Sequence, residues 1–224
     1  MKIYTNKTSV IFLVGGVGSR FSPIENEPKQ LSKLNKDFIL MHIIKNFKKY
    51  GLNHFIFPLG YKKNFFINFF LSKKNISKYR FNILKKNYNS KDLKTNMINI
   101  SFFNAGNNTT KLSRIFQSLK YIIHEDLLVA YGDDLANINL NQLFKKFYFF
   151  KRKKAIITIY KKKSQYGHII ADKKGSVKKF IEKPQYDNPI NIGNYLFTKS
   201  LLNKFKKLKN ELEANLVPIL VKKK

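Results

Sequence analysis

Three glycines fall within four positions at Gly15-Gly16-Val17-Gly18, directly after the apolar run Ser9 to Val14 and ahead of Ser19-Arg20. A backbone without side chains admits a ligand at close range, and N–H groups at the end of a strand suit phosphate and base binding. The spacing is neither a Gly-Lys-Ser/Thr phosphate loop nor the G-x-G-x-x-G dinucleotide pattern. Taken alone, such a stretch reads equally well as a tight turn that binds nothing. A second feature is Tyr131-Gly132-Asp133-Asp134, which closes another apolar run in a chain that has only 13 acidic residues. Its alternative is a plain turn ahead of a helix. The histidines His42, His54, His124 and His168 show no metal-ligand spacing and read as packing or surface residues.

The elements that must position these residues follow from hydrophobic patterning. Ser9 to Val14, His54 to Leu59, Ile98 to Asn104, Asp126 to Tyr131 and Ala155 to Tyr160 are short apolar runs that predict buried strands. Phe38 to Tyr50 places Phe38, Met41, His42, Ile44 and Phe47 on or near one helical face before Gly51 stops it. Lys63 to Leu71, Leu112 to Ile123 and Asn141 to Lys154 are similar. Alternating strand and helix predicts an α/β fold, a doubly wound, mainly parallel, Rossmann-like sheet. In such a sheet ligands sit beyond the carboxyl ends of the strands, which is where both chemical features fall.

Beyond Ala155 the pattern shifts to short strands, Tyr166 to Ala171, Ser176 to Ile181 and Asn191 to Phe197, which predict a small β-rich lobe. Two helices are expected after it, Leu201 to Lys209 and Glu211 to Val221, the second interrupted by Pro218. The expected organisation is one domain over 1–224: a nucleotide-binding part at about 8–154, a lobe at about 155–200, and C-terminal helices over 201–224.

Bulk composition narrows the function classes. A hydrophobic share of 43% with 25% charged residues is that of an ordinary globular chain. The absence of cysteine excludes disulfides and thiolate metal sites. No stretch approaches the roughly 20 apolar residues of a membrane span. Lys2, Asn6 and Lys7 interrupt any secretory core, so a cytoplasmic location is expected. The net charge of +31 raises nucleic-acid binding, but of 44 basic residues only Arg20, Arg80, Arg114 and Arg152 are arginine. Dispersed lysine, with abundant asparagine and isoleucine, is a compositional bias; groove readers favour arginine for bidentate contacts. No specific nucleic-acid partner is expected, whereas small phosphate-bearing substrates are favoured by the field.

The neighbours of the glycine loop carry a resemblance. Gly15-Gly16-Val17-Gly18-Ser19-Arg20 followed by Pro28-Lys29 resembles the G-G-x-G-[ST]-R…P-K signature of sugar-phosphate nucleotidylyltransferases. In the same order come Asp37 to Ile44, similar to that family's first helix, and Gly132-Asp133, at the place of its metal site. Phe180-Ile181-Glu182-Lys183-Pro184 and Asn191-Ile192-Gly193 then match its sugar-binding elements. The stretches "FIFPLGYKKNFFINFF", "NAGNNTTKLSRI", "YGDDLANINL" and "YGHIIADKKGSVKKFIEKP" resemble its glucose-1-phosphate cytidylyltransferase branch.

The resemblance implies joining the phosphate of a sugar 1-phosphate, glucose 1-phosphate favoured, to the α-phosphorus of a nucleoside triphosphate, CTP favoured, with loss of pyrophosphate. Val14, Gly15, Gly16, Gly18, Ser19, Gly106, Lys111 and Asp133 would bind nucleotide. Arg20 and Lys29 would be catalytic, on the leaving and reacting phosphates. Asp133 would hold Mg²⁺. Glu182, Lys183, Asn191 and Gly193 would bind the sugar phosphate. A product for cell-surface polysaccharide and a homo-oligomer also follow from the likeness. The chain departs from the pattern at Glu27, where the family carries a lysine, and in a shortened Asn104 to Leu112 loop. The family's second metal-binding aspartate is expected after Val217-Pro218-Ile219-Leu220-Val221-Lys222-Lys223-Lys224, with Asp134 or Asp172 as substitute. A relative that binds nucleotide or sugar phosphate without turnover is therefore the alternative.

Overall fold

The computed structural model of the chain describes residues 7–14, 27–208 and 211–222. Strand β1 (Thr8–Leu13) precedes a small hairpin, β2 (Lys33–Leu34) and β3 (Asp37–Phe38), and helix α1 (Ile39–Lys49). β4 (His54–Leu59) leads through α2 (Lys63–Leu71) and α3 (Lys73–Tyr79) to β5 (Phe81–Ile83) and β6 (Ile98–Asn104). α4 (Lys111–Ser118) connects to β7 (Asp126–Tyr131), and α5 (Leu140–Phe149) to β8 (Ile156–Tyr160). There follow β9 (His168–Ala171), β10 (Val177–Ile181), β11 (Ile190–Thr198) and α6 (Lys199–Asn203). A single π-helical turn, Leu212–Leu216, runs into α7 (Val217–Lys222).

The central sheet has the order β5-β6-β4-β1-β7-β11-β8. β5, β6, β4, β1 and β7 run parallel to one another, whereas β11 runs antiparallel to both β7 and β8. The doubly wound, mainly parallel sheet is thus the observed fold. Its strands are continuous apolar runs because helices cover both faces. Along β1 the alternation divides the core. Val10, Phe12 and Val14 pack with α1, α2 and α5 residues such as Phe47, Phe66 and Phe147. Ile11 and Leu13 face the other layer, with Leu112 and Ile115 of α4 and with Leu212 and Leu216 of the π-helical turn. Phe12 has no exposed surface and lies among Phe47, Phe55 and Phe57 at centroid distances of 5.7, 5.8 and 5.4 Å. Emptying such a position costs about 3–5 kcal/mol.

This topology fixes where a site can form. The chain moves outward from β1 to β4 and β6, then returns to place β7 on the other side of β1. The crevice beyond the carboxyl ends of β1 and β7 is therefore the switch point at which open α/β sheets take ligands. The β1–β4 register stops at Ile11 opposite Ile56, two residues short of Pro58, whose ring offers no N–H to a ladder.

Past Ala155 only β9 and β10 form a sheet of their own; β11 and β8 extend the central sheet. The β-rich lobe thus reduces to a two-stranded hairpin. The C-terminal helices differ from their expected bounds too. α6 stops at Asn203, and the segment containing Pro218 starts as a wide turn before α7: the Val217 N–H reaches back to the Leu212 carbonyl, and Pro218, next in the chain, has no N–H to give. No described helix is long and apolar enough to cross a membrane.

Candidate functional site

The crevice is built on a buried guanidinium. Arg114 projects from α4, whose amino end is capped by the Thr110 hydroxyl accepting from Ser113 N–H at 3.1 Å. Its Nη1 donates to the Val14 carbonyl at 2.7 Å, and its Nε donates to Thr109 Oγ1 at 3.0 Å. A side chain at Gly60 would stand 2.7 Å from Arg114 Nη2 and 2.8 Å from the Gly106 carbonyl, so Gly60 is required for Arg114 to reach β1. Val14 and Gly106, both expected on the nucleotide side, are held within this one arrangement. Gly15, Gly16, Gly18, Ser19 and Arg20 lie outside the described residues.

Lys29 opens the short helical turn Lys29–Leu31, and Asp133 follows β7. Its Nζ lies 3.7 Å from Asp133 Oδ2, with the two side chains 44% and 30% exposed. Asp134 is next to this pair. Burial, and then the Asp133 charge, push its carboxyl above the usual carboxylate range, against the pull of Lys29 and Lys111. The carboxylates are hard oxygen donors, a chemistry that fits Mg²⁺ when substrate oxygens and water complete its shell. Among the described residues no group of three or more His, Asp or Glu could hold a metal by itself. A cavity of about 300 Å³ adjoins Asp134 on the side of α1, lined by His42, Asn46, Asn137 and Asn194 as well. Lys29 and Asp133 do not line it.

A third group joins both flanks. Lys111, the first residue of α4, donates to Glu213 at 3.2 Å and to the Tyr131 hydroxyl at 3.0 Å. The Tyr131 hydroxyl donates to the same Glu213 oxygen, and Tyr195 donates to it at 3.2 Å. Asn191 Nδ2 donates to the Tyr195 hydroxyl, and Asn191 Oδ1 accepts from Gly193 N–H at 3.0 Å. Gly193 has φ of 76°, and a Cβ there would lie 2.0 Å from the Tyr131 ring and 2.9 Å from Asp134 Oδ2. Burial works to raise the Glu213 carboxyl, but the hydrogen bonds from Tyr131 and Lys111 outweigh it and hold the carboxyl low. Burial and the same carboxylate push the Tyr131 hydroxyl up, so it remains a donor.

The structure thus brings Lys29, Asp133 and Asp134 into one group, and Lys111, Asn191 and Gly193 into an adjoining one. Glu182 and Lys183 stand apart at the end of β10, 3.7 Å from each other and 61% and 63% exposed. Glu213, Tyr131 and Tyr195 were missed by sequence reasoning. Glu213 is one of two glutamates, with Glu211, in a C-terminal helical stretch, and its partner Lys111 is 102 positions away. The available signal was Tyr131 immediately before Gly132-Asp133. Asp172, the other candidate substitute, is occupied in its own β-turn with Lys178 at 3.1 Å.

Comparison with known proteins matches residues 9–218 to the family described as nucleotidyl transferase. The chain is 33% identical over 198 residues to a probable glucose-1-phosphate cytidylyltransferase of Bacillus subtilis, covering 86% of this chain and 76% of that protein. It is 26% identical over 200 residues to the glucose-1-phosphate cytidylyltransferase of Salmonella typhimurium, with the same coverages of 86% and 76%. A similar solved structure is HddC from Yersinia pseudotuberculosis complexed with GMP-PN. It has a TM-score of 0.62 at 18% identity, over 95% of this chain and 85% of that one.

Proposed function

Because the chain belongs to the nucleotidyl transferase family, we propose that it transfers the nucleotidyl group of CTP to glucose 1-phosphate and releases pyrophosphate. The observation that carries this reading is the ammonium of Lys29 set 3.7 Å from the Asp133 carboxylate at the switch point of the sheet. A cation beside a metal-competent carboxylate is what two polyanionic substrates require, since the task is to position phosphates and offset their charge. The choice of CTP and glucose 1-phosphate is supported by the activities named for the Bacillus and Salmonella relatives.

In this reading a phosphate oxygen of the sugar 1-phosphate attacks the α-phosphorus of CTP. The bond from that phosphorus to the bridging oxygen breaks, and pyrophosphate leaves with that oxygen and its electron pair. Lys29 holds the reacting phosphate oxygens while the attacking charge is redistributed. Arg20 holds the leaving β- and γ-phosphates. Asp133, with Asp134 beside it, holds Mg²⁺, which supplies Lewis-acid neutralisation of the phosphate oxygens. Backbone N–H groups of Gly15, Gly16, Gly18 and Ser19 cradle the nucleotide, with Val14, Gly106 and Lys111 on its flank. Asn191 and Gly193 line the sugar side; Glu182 and Lys183, which stand apart on the hairpin, would add a carboxylate to accept from sugar hydroxyls and an ammonium to pair with the phosphate.

The test is pyrophosphate release with Mg²⁺ from ATP, CTP, GTP and UTP, each against glucose, mannose and galactose 1-phosphates. Release confined to CTP with glucose 1-phosphate is the expected result. Release with another pair would replace the assigned substrates but keep the reaction. No release from any pair, with CTP still raising the melting temperature, would make the chain a binding relative without turnover.

A further inference from the structure

Glu213 receives donors from both sides of the crevice. Its Oε1 accepts from Lys111, at the amino end of α4, and from Tyr131 and Tyr195 on β7 and β11. The Tyr195 hydroxyl in turn accepts from Asn191 Nδ2, four residues earlier on the same strand, and Asn191 Oδ1 accepts from the Gly193 N–H. Lys111 also sits 5.0 Å from the Tyr131 ring centroid, over its face. An unbroken set of hydrogen bonds therefore leads from Lys111 to Gly193 through one carboxylate.

That carboxylate is rigidly delivered. Leu212 and Leu216, one turn apart in the π-helical turn, are fully buried in the second core layer, with Glu213 between them. Tyr195 is likewise fully buried, so its hydroxyl has one defined position. The far end of the network is open: the Lys111 and Glu213 side chains are 46% and 34% exposed. A half-exposed ion pair adds little to fold stability because water screens it. Its physical consequence is orientation, since an ammonium on a four-carbon stem otherwise samples many rotamers. Fixing it removes ordering cost when an anion binds.

We propose that Glu213 is a positioning residue that couples the two substrate flanks, setting Lys111 toward the nucleotide and, through Tyr195, Asn191 and Gly193 toward the sugar phosphate. This rests on the functional reading above for the assignment of the flanks. The carboxylate itself touches neither substrate; it holds the groups that do.

The experiment is titration calorimetry of CTP and of glucose 1-phosphate, each separately, with the wild-type chain, Glu213→Gln and Glu213→Ala. Melting temperatures are measured on all three, and KM and kcat wherever turnover is present. Both affinities are expected to fall together by about 10-fold in Glu213→Ala, the scale of a lost charge-assisted hydrogen bond. Glu213→Gln should lie between, because its carbonyl still accepts from Tyr131. In turnover both KM values rise while kcat changes less. A fall in one affinity alone, or in neither, overturns the coupling. So does a parallel fall that tracks a lowered melting temperature in both variants. A wild-type chain that binds neither ligand overturns the functional reading, and the proposal with it, and is told apart by its wild-type arm.

Discussion

Lys29 and Asp133 are 104 positions apart in sequence, and their charged atoms lie 3.7 Å apart where β1 and β7 end. Neither belongs to a strand: Lys29 begins a helical turn and Asp133 begins the turn after β7. Six consecutive register pairs between β1 and β7, Thr8 with Asp126 through Leu13 with Tyr131, bring their segments together. The rigid sheet thus sets the spacing, while the functional groups sit on the connections.

Removing the ammonium should therefore affect reaction and not folding. For Lys29→Ala we expect kcat/KM to fall by about 10²-fold or more, the scale for loss of one electrostatic contact at a reacting centre. Lys145→Ala, an exposed lysine on α5, should stay within about 2-fold, as surface substitutions away from a site do. Steady-state kinetics on the two variants makes the comparison, and equal losses in both would remove Lys29 from the site.

A pH effect on stability follows from His54. Its Nδ1 is 2.9 Å from the Ser9 hydroxyl and its Nε2 is 2.7 Å from the Tyr88 hydroxyl, in a fully buried position. Burial, with a smaller push from His124, lowers its pKa to about 3 from an ordinary 6.5. The unfolded chain therefore binds this proton first as pH falls. The stability it provides is complete above about 6.5 and is lost progressively toward pH 3, at about 1.4 kcal/mol per pH unit. His124, also lowered by burial, adds in the same direction. Asp134, whose carboxyl is held up, acts oppositely. Urea unfolding between pH 4.5 and 8 should show this slope below about 6.5, and His54→Asn should lessen it by about one proton. An unchanged slope in the variant would show that His54 is protonated in the folded chain.

Legibility in the sequence divides along physical lines. β4, β6 and β7 have the bounds that their apolar runs predict, because strands covered on both faces leave an unbroken hydrophobic signature. α3 and β5, by contrast, were not foreseen within the polar stretch Lys73 to Ile83. They depend on distant partners: Tyr79 donates to the buried Asp37 at 2.6 Å, and Phe81 packs against Phe69 and Phe70. In the site, Asp133 and Lys29 were readable because they adjoin marked loops. Arg114 stands out in the sequence only as one of four arginines, since nothing local shows that Gly60 leaves room for it. Glu213 was invisible for a similar reason. Its meaning comes from Tyr131, Tyr195 and Lys111, which converge on it only in three dimensions.

In the proposed reaction the Asp133 carboxylate serves Mg²⁺-dependent nucleotidyl transfer. Its most direct measurement is pyrophosphate release from CTP and glucose 1-phosphate, titrated with Mg²⁺, for wild type and Asp133→Asn, with circular dichroism and melting on both. We expect the wild type to turn over with a saturable Mg²⁺ dependence, and the variant to keep the fold but lose turnover across the whole titration. A folded Asp133→Asn chain with wild-type turnover would show that Asp133 does not serve the metal.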